Sequence, residues 1–125
     1  MITKEELIEF ENRIVKLFEA GELPYPIHFS GGNEKQLIDI FREIKPEDYV
    51  LSTHRSHYHY LLKGGSPDKL EKKILNGDSI HIFDKTLNFL SSSIVAGTPG
   101  IAAGLSLALK RKNSKNKVFL LLIIF

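Results

Sequence analysis

The chain has 125 residues, 42% of them hydrophobic and 26% charged, which is typical of one globular domain large enough to bury a core. Its 17 basic and 15 acidic residues leave a net charge of +2, which is too small to favour a nucleic acid or an anionic membrane as a partner. Cysteine is absent, which excludes disulfides and thiolate chemistry, and no apolar run reaches the roughly 18 residues of a membrane span.

An amphipathic helix is predicted close to the first residue. Thr3 and Glu6 form a capping box, in which each side chain satisfies a backbone amide at the start of the helix. Gly21 provides the stop. Because the helix follows Met1 without a secretory leader, the protein is expected to be cytoplasmic. The apolar residues that recur at helical spacing are Leu7, Phe10, Ile14, Leu17 and Phe18.

A loop and a second helix are predicted next. Residues 23–26 are expected to be extended, because each of their two prolines disfavours a helical conformation at the residue before it. His28 lies between two apolar residues and, by itself, is interpreted as a partly buried structural histidine. Asn33 is expected to open the helix, which ends before Pro46. Its inner side is expected to carry Leu37, Ile38, Phe41 and Ile44.

Residues 52–60 concentrate the chemically active side chains of this sequence, with three imidazoles, one guanidinium and two phenols. Residues 49–51 are too short to predict a strand with certainty. One interpretation is an exposed polar turn that leads into a helix with Tyr58, Leu61 and Leu62 inside. In the other, Arg55 presents its fork of donors to an anionic or planar ligand, while the histidines exchange protons near neutral pH. The sequence leaves both interpretations open.

Ser66 and Pro67 predict a short helix through Leu70 and Ile74, since a capping serine is followed by a proline in the first turn. Residues 78–93 show no clean hydrophobic period. A segment of that length without structure of its own is predicted to be a functional or a disordered loop.

The remaining residues predict a helix and a strand. Thr98 and Pro99 indicate a helix start, and Gly100 and Gly104 suggest that a sheet or a ligand comes close to this helix. The basic run at 110–117 is interpreted as a solvated helix end. Residues 118–125 have the composition of a buried strand in a parallel sheet, beyond whose carboxyl end ligands commonly bind. The residues by themselves therefore predict helices joined by tight turns, with one terminal parallel-type strand.

Other chemistries have weaker support. His54, His57 and His59, with His28 or His81 in addition, would suit zinc, copper or nickel. No carboxylate lies within this cluster, however, and the fixed charge of its arginine disfavours a cation, so no metal ligand is assigned. Neither a complete nucleotide-binding glycine pattern nor the Gly-x-Ser-x-Gly elbow of hydrolases is present.

Four blocks of the sequence form a recognisable series at residues 27–34, 52–57, 78–83 and 93–104. They read Ile-His-Phe-Ser-Gly-Gly-Asn-Glu, Ser-Thr-His-Arg-Ser-His, Asp-Ser-Ile-His-Ile-Phe and Ser-Ile-Val-Ala-Gly-Thr-Pro-Gly-Ile-Ala-Ala-Gly. In order and spacing they resemble the alpha subunit of the thiamine-diphosphate-dependent dehydrogenase component of 2-oxo acid dehydrogenase complexes, the pyruvate, branched-chain and acetoin dehydrogenase group. That family has a histidine before Gly-Gln-Glu, then Tyr-Arg-x-His-Gly, Gly-Ser-Met-His, and Gly-Ile-Val-Gly before a Pro-x-Ala-x-Gly helix.

The resemblance implies that residues 1–125 are the N-terminal part of a thiamine-diphosphate-binding domain of the α/β class, mostly helical in this segment and with a terminal parallel-type strand. His28 would face the 2-oxo acid, and His57 and His81 would be further catalytic candidates that order the active-site loop. The positions implied to contact thiamine diphosphate, the last two through their backbones at the aminopyrimidine, are His54, Arg55, Ser93 and Val95. In such enzymes the cofactor acts as the electron sink for decarboxylation, and the protein supplies orientation and electrostatics.

The sequence also departs from the family. His54 replaces a phenol, Ser93 replaces a glycine, and Tyr58 stands where a glycine follows the histidine. The family's Gly-Asp-Gly and downstream asparagine, which hold magnesium and the diphosphate, are absent, so the chain alone is predicted to be inactive as a decarboxylase.

The implied partners are a beta subunit or a complementing C-terminal polypeptide, in a heterotetramer, together with a lipoyl-bearing acyltransferase and a small 2-oxo acid. Two alternatives remain open. One is a non-catalytic fragment that docks to a homologous subunit, and the other is a small histidine-rich metal protein.

Overall fold

The computed structural model describes residues 1–23 and 25–122. Within them, helices alternate with short strands. The helices are α1 (Lys4–Glu19), α2 (Glu34–Phe41), α3 (His57–Leu62), α4 (Pro67–Leu75) and α5 (Gly97–Arg111). The strands are β1 (Tyr49–Ser52), β2 (Phe83–Asp84), β3 (Phe89–Ser91) and β4 (Val118–Leu120).

The strands form one sheet in the order β2-β3-β1-β4. Strand β1 is parallel to both of its neighbours, and Val50 aligns with Phe89 of β3 and Phe119 of β4. Strand β2 adds an antiparallel edge. Since β1, β3 and β4 run the same way, their carboxyl ends share one side of the sheet, called here the carboxyl edge. The α/β class with a parallel strand late in the chain is confirmed.

The helix signals near the first residue are confirmed in detail. Glu6 Oε2 accepts from the Thr3 amide at 2.8 Å, and Thr3 Oγ1 accepts from the Glu6 amide at 3.2 Å. Ser66 Oγ caps α4 by accepting from the Lys69 amide at 3.3 Å. The inner face of α1 is narrower than predicted, because Phe18 remains 50% exposed.

Strand β1, too short to predict with certainty, is an inner strand because it has hydrogen-bonded neighbours on both sides. The prediction that residues 78–93 lack structure is wrong from Phe83 onward, since β2 and β3 form a hairpin there. Asn88, with φ of 53°, allows the chain to turn between them. Pairing with distant strands supplies the order that the local pattern does not reveal.

Three boundary predictions are corrected. Helix α2 ends at Phe41, so Ile44 packs against the core from the following turn instead of from the helix. Helix α5 begins one residue before Thr98, which lies in its first turn and does not cap it. A Cβ at Gly100 or Gly104 would meet nothing within 4 Å, so the close approach predicted for these glycines does not occur within the described residues.

The hydrophobic core joins the inner faces of α1 to α4 to the sheet. Its largest buried members are Leu7, Ile14, Phe41, Tyr58, Tyr60, Leu70, Ile74, Ile82 and Phe89. Strand β4 is only partly buried, and residues 123–125 of the predicted terminal strand lie outside the described residues, as does Pro24 of the extended stretch. The basic residues Lys110 and Arg111 end α5, as predicted. Within residues 1–23 and 25–122, no helix has the length and apolar character needed to cross a membrane.

Candidate functional site

The histidine-rich stretch leaves the carboxyl end of β1 and is buried. Ser52, Thr53 and Ser56 are fully buried, and His57 and His59 are 2% and 0% exposed. Every residue of α3 is buried as well. The interpretation as an exposed polar turn is therefore wrong, because β1 is an inner strand and delivers the stretch directly into the core.

His59 is a structural member of this stretch. Its Nδ1 lies 2.6 Å from Ser52 Oγ, and its ring stacks on Phe41 with 6.1 Å between the ring centroids. Burial, together with the charge of neighbouring His57, lowers the pKa of His59 to about 4. The imidazole is therefore neutral near pH 7, so it does not exchange protons there as the sequence-based interpretation allowed.

His57 is buried, and among the described residues neither of its ring nitrogens has a hydrogen-bond partner. Burial, with a contribution from the charge of His28, lowers the pKa of His57 to about 4. Buried polar atoms without partners are rare in folded proteins and commonly mark sites that hold a water or a ligand. Four further such atoms belong to the same stretch of chain, namely Thr53 Oγ1, His54 Nδ1, Ser56 Oγ and His59 Nε2, and Asn33 Oδ1 just before α2 is another.

The first two sequence blocks meet at the carboxyl edge. The ring of His28 lies edge-on to that of His54, with 4.9 Å between centroids. Arg55 donates from Nη1 to the carbonyl oxygen of Phe29 at 2.6 Å, and Ser30 Oγ donates to the Arg55 carbonyl at 3.2 Å. Burial and the positive charges of His28 and Arg55 lower the pKa of His54. His28 itself is exposed, which corrects its interpretation as a partly buried structural residue.

The third and fourth blocks also meet. Ser93 Oγ lies 3.0 Å from His81 Nε2, and the Ser93 amide donates to His81 Nδ1 at 3.5 Å. Ser93 follows β3, and the Ser92 amide donates to the carbonyl of Ser52 at 3.3 Å. The segment that leads to Val95 therefore starts beside the segment that carries His54 and Arg55. Both segments leave the same edge of the sheet.

Other features of the surface do not coincide with this edge. A groove of about 1080 Å³ lies between α1 and the turn from α3 to α4, and another of about 440 Å³ lies between α5 and β4. Neither is lined by any of the predicted site residues. Among the described residues, no three histidine or carboxylate side chains are grouped so that they could hold a metal ion.

An acidic pair beneath the His28 loop was missed at the level of sequence. Glu11 and Glu34 are only 8% and 7% exposed, and Tyr58 donates to Glu34 Oε1 at 3.0 Å. Burial and the charge of Glu11, followed by the contacts with Glu34, raise the pKa of Tyr58. The sequence did indicate the burial of Glu11, because this residue shares the helical spacing of the inward-facing Leu7 and Ile14 on α1.

Comparison with known proteins gives a consistent group. A family model described as "Dehydrogenase E1 component" matches residues 4–123. The subunit alpha of acetoin:2,6-dichlorophenolindophenol oxidoreductase of Bacillus subtilis is 31% identical over 121 residues, which cover 89% of this chain and 36% of that protein. The subunit of the same name from Cupriavidus necator is 30% identical, with 82% and 34% covered.

Pyruvate dehydrogenase E1 component subunit alpha of Porphyra purpurea is 28% identical over 106 residues, which cover 76% of this chain and 30% of that protein. The chain thus spans about a third of the length of the curated relatives that it matches.

Proposed function

The chain belongs to the dehydrogenase E1 component family, as its four sequence blocks indicated, and we propose that it is the N-terminal, cofactor-facing part of a 2-oxo acid dehydrogenase alpha subunit. The proposed reaction is the oxidative decarboxylation of a small 2-oxo acid, with transfer of the acyl group to the lipoyl group of an acyltransferase. The observation that carries this proposal is the convergence of His28, His54 and Arg55 at the carboxyl edge, where the Ser92 amide also bonds the carbonyl of Ser52.

We propose that this edge binds one end of thiamine diphosphate, the cofactor on which the family depends. We propose that His54 and Arg55 contact its ring system, together with the backbones at Ser93 and Val95. Support comes from the buried Nδ1 of His54, which has no hydrogen-bond partner within residues 1–23 and 25–122 and needs one. The chemistry that the cofactor supplies when bound is an electron sink for decarboxylation.

The histidines of the chain then have separate proposed roles. His28 is exposed beside His54 and is proposed to face the 2-oxo acid. His81, paired with Ser93, is proposed to order the loop at the active site. His57, buried and neutral near pH 7, is proposed to support the same loop from the inside.

The diphosphate and magnesium need other residues. Within the described part of the chain no group of side chains suits a metal ion, and the relatives are about three times as long. We therefore propose that residues outside the present sequence hold the metal, in a complementing C-terminal polypeptide, and that a beta subunit completes the active site. By itself the 125-residue chain is proposed not to decarboxylate 2-oxo acids.

Complementation tests this proposal. The chain is mixed with the part of the Bacillus subtilis relative that follows the matched region and with the beta subunit of that enzyme. Thiamine diphosphate, magnesium and pyruvate or acetoin are added, and reduction of 2,6-dichlorophenolindophenol is followed. Turnover is expected only when the chain and the complementing alpha-subunit polypeptide are both present with the beta subunit. Arg55→Lys is expected to raise the thiamine diphosphate concentration for half-maximal rate roughly tenfold or more, because lysine cannot reproduce the planar fork. Arg42→Lys, in an exposed ion pair with Asp39, is the matched control.

A non-catalytic docking role is the second candidate. It is favoured by the large apolar side chains that remain exposed on and just before α5, with Ile94 67%, Ile101 48% and Leu107 51% exposed. Stable assembly of the two polypeptides without dye reduction, in conditions where the intact relative is active, would support docking and contradict the enzyme.

A further inference from the structure

The loop that carries His28 is held from three elements. The Ser30 amide donates to Oε1 of Glu11 on α1 at 2.9 Å, and the Gly32 amide donates to Oε1 of Glu34 on α2 at 3.1 Å. From the segment after β1, Arg55 donates to the Phe29 carbonyl. Successive backbone groups of one short loop thus have partners on elements that are distant from one another in sequence.

Tyr58 connects the two carboxylates to α3. Its hydroxyl donates to Glu34 Oε1 at 3.0 Å, the same oxygen that accepts from the Gly32 amide. Its phenol also lies close enough to Glu11 to affect the pKa of that carboxyl.

The two carboxylates have different electrostatic states. Burial raises the pKa of Glu34, but hydrogen bonds from Gly32, its own amide and Tyr58, with the charge of Lys4, outweigh burial and leave the pKa lowered. Burial raises the pKa of Glu11, and the nearby charge of Glu34 raises it further, while the bonds from Ser30 and Tyr58 offset only part of this. Glu34 is therefore the stronger anionic acceptor of the pair.

Packing leaves the loop little room to move away from Glu11. A Cβ added at Gly31 would lie 3.3 Å from Glu11 Oε2, so the backbone of the loop already rests on this carboxylate. Buried amides that lose their acceptor incur the desolvation cost of the unpaired group. The loop therefore has one favourable position as long as both carboxylates stay in place.

We propose that Glu11, Glu34 and Tyr58 form an acidic clamp that positions His28 against His54. The three are positioning residues, since each acts through the loop and not on a substrate. The inference deepens the proposed function of His28. It rests on that function only for the role of the His28 imidazole, because the contacts that hold the loop are independent of it.

Amide hydrogen exchange on the full 125-residue chain, followed by NMR without any cofactor, tests the clamp. Tyr58→Phe is expected to accelerate exchange at Gly32 about tenfold or more, and Glu11→Gln is expected to do so at Ser30. In both variants the nuclear Overhauser effect between the His28 and His54 rings is expected to weaken.

Two matched controls separate positioning from general stability. Tyr60→Phe removes another buried phenol hydroxyl that donates to a carboxylate at 3.0 Å, that of Asp84, far along the chain from the loop. Glu9→Gln makes the same chemical change as Glu11→Gln on the exposed side of α1. Neither control is expected to accelerate amide exchange at Ser30 or Gly32 relative to exchange at Val50. The Val50 amide donates to the Asn88 carbonyl, so its exchange reports global opening.

Two results would overturn the clamp. One is exchange at Ser30 and Gly32 that stays unchanged relative to Val50 in Tyr58→Phe and Glu11→Gln. The other is an equal acceleration of amide exchange at Ser30 and Gly32 in the two control variants. Because no cofactor is added, a failure of thiamine diphosphate to bind in the complementation experiment leaves this result unaffected, and the two proposals can fail independently.

Discussion

The hydroxyl of Ser52 and the Nδ1 atom of His59 are 2.6 Å apart, and both side chains are fully buried. Ser52 is the last residue of β1, and His59 lies in α3, so this bond joins the two ends of the segment that carries His54 and Arg55. The segment cannot shift along the sheet without breaking it. A bond inside the core thus determines where the proposed cofactor contacts stand.

Ser52→Ala is therefore expected to destabilise the protein by about 1 to 3 kcal/mol, because it leaves a buried imidazole nitrogen without a partner. Urea denaturation at pH 7.5 measures the change. Ser93→Ala is the control, since it removes the half-buried serine paired with the exposed His81 and is expected to stay within about 0.5 kcal/mol of the parent. Equal effects of the two substitutions would contradict a special role for the buried pair.

Stability is expected to fall on acidification. The pKa values of His57 and His59 are lowered to about 4, below the value of about 6.5 in an unfolded chain. Between these values the unfolded state binds more protons, so the stabilisation is fully present above about pH 6.5 and is lost as the pH falls toward 4. The expected loss is about 2 kcal/mol per histidine between pH 6.5 and 5.

Urea midpoints at pH 7.5, 6.5 and 5 measure this dependence. His59→Asn, which keeps a group able to bond Ser52, is expected to flatten the curve, whereas His81→Asn at an exposed position is not. Glu11 acts in the opposite direction at the acid end, because its raised pKa favours the folded state when it is protonated. A midpoint that does not change between pH 7.5 and 5 would contradict buried neutral imidazoles.

Gly65→Ala is expected to cost about 1 to 3 kcal/mol, because a Cβ there would overlap the ring of Tyr60. That ring cannot move aside easily, since it is buried and its hydroxyl is bonded to Asp84. Gly100→Ala has the opposite expectation. It lies within α5 with nothing inside 4 Å of the new carbon, and alanine favours a helix by up to about 1 kcal/mol. Thermal unfolding of both variants should shift in opposite directions.

Asp48→Asn is expected to loosen β4. One carboxylate oxygen accepts from the Lys45 amide at 2.9 Å and the other from the Lys117 amide at 2.8 Å, immediately before β4. Faster amide exchange in residues 118–120 is expected, with Val50 little affected. Asp39→Asn, in an exposed pair with Arg42, is the control. Exchange in β4 that is the same in both variants would contradict this anchor.

The candidate site was only partly predictable. The four sequence blocks named His28, His54, Arg55 and Ser93, and the structure brings the first three together, because β1 leads into the cluster. What the blocks could not reveal is that the cluster rests on buried carboxylates. Glu11 accepts from the Ser30 amide, which is 19 residues away along the chain, and no local sequence pattern indicates a contact at that separation.

The sequence by itself determined the parts whose forces are local: the capped helices α1 and α4, the solvated basic end of α5 and the family blocks. A capping hydroxyl and the amide that it bonds are only a few residues apart, so the spacing of these residues in the sequence predicts their hydrogen bond. Only the tertiary structure decided that residues 49–52 and 89–91 are paired strands, that the histidine stretch is buried and that His28 is exposed. Strand pairing and burial depend on which distant surface comes to lie beside a residue, and that becomes fixed only when the whole core assembles.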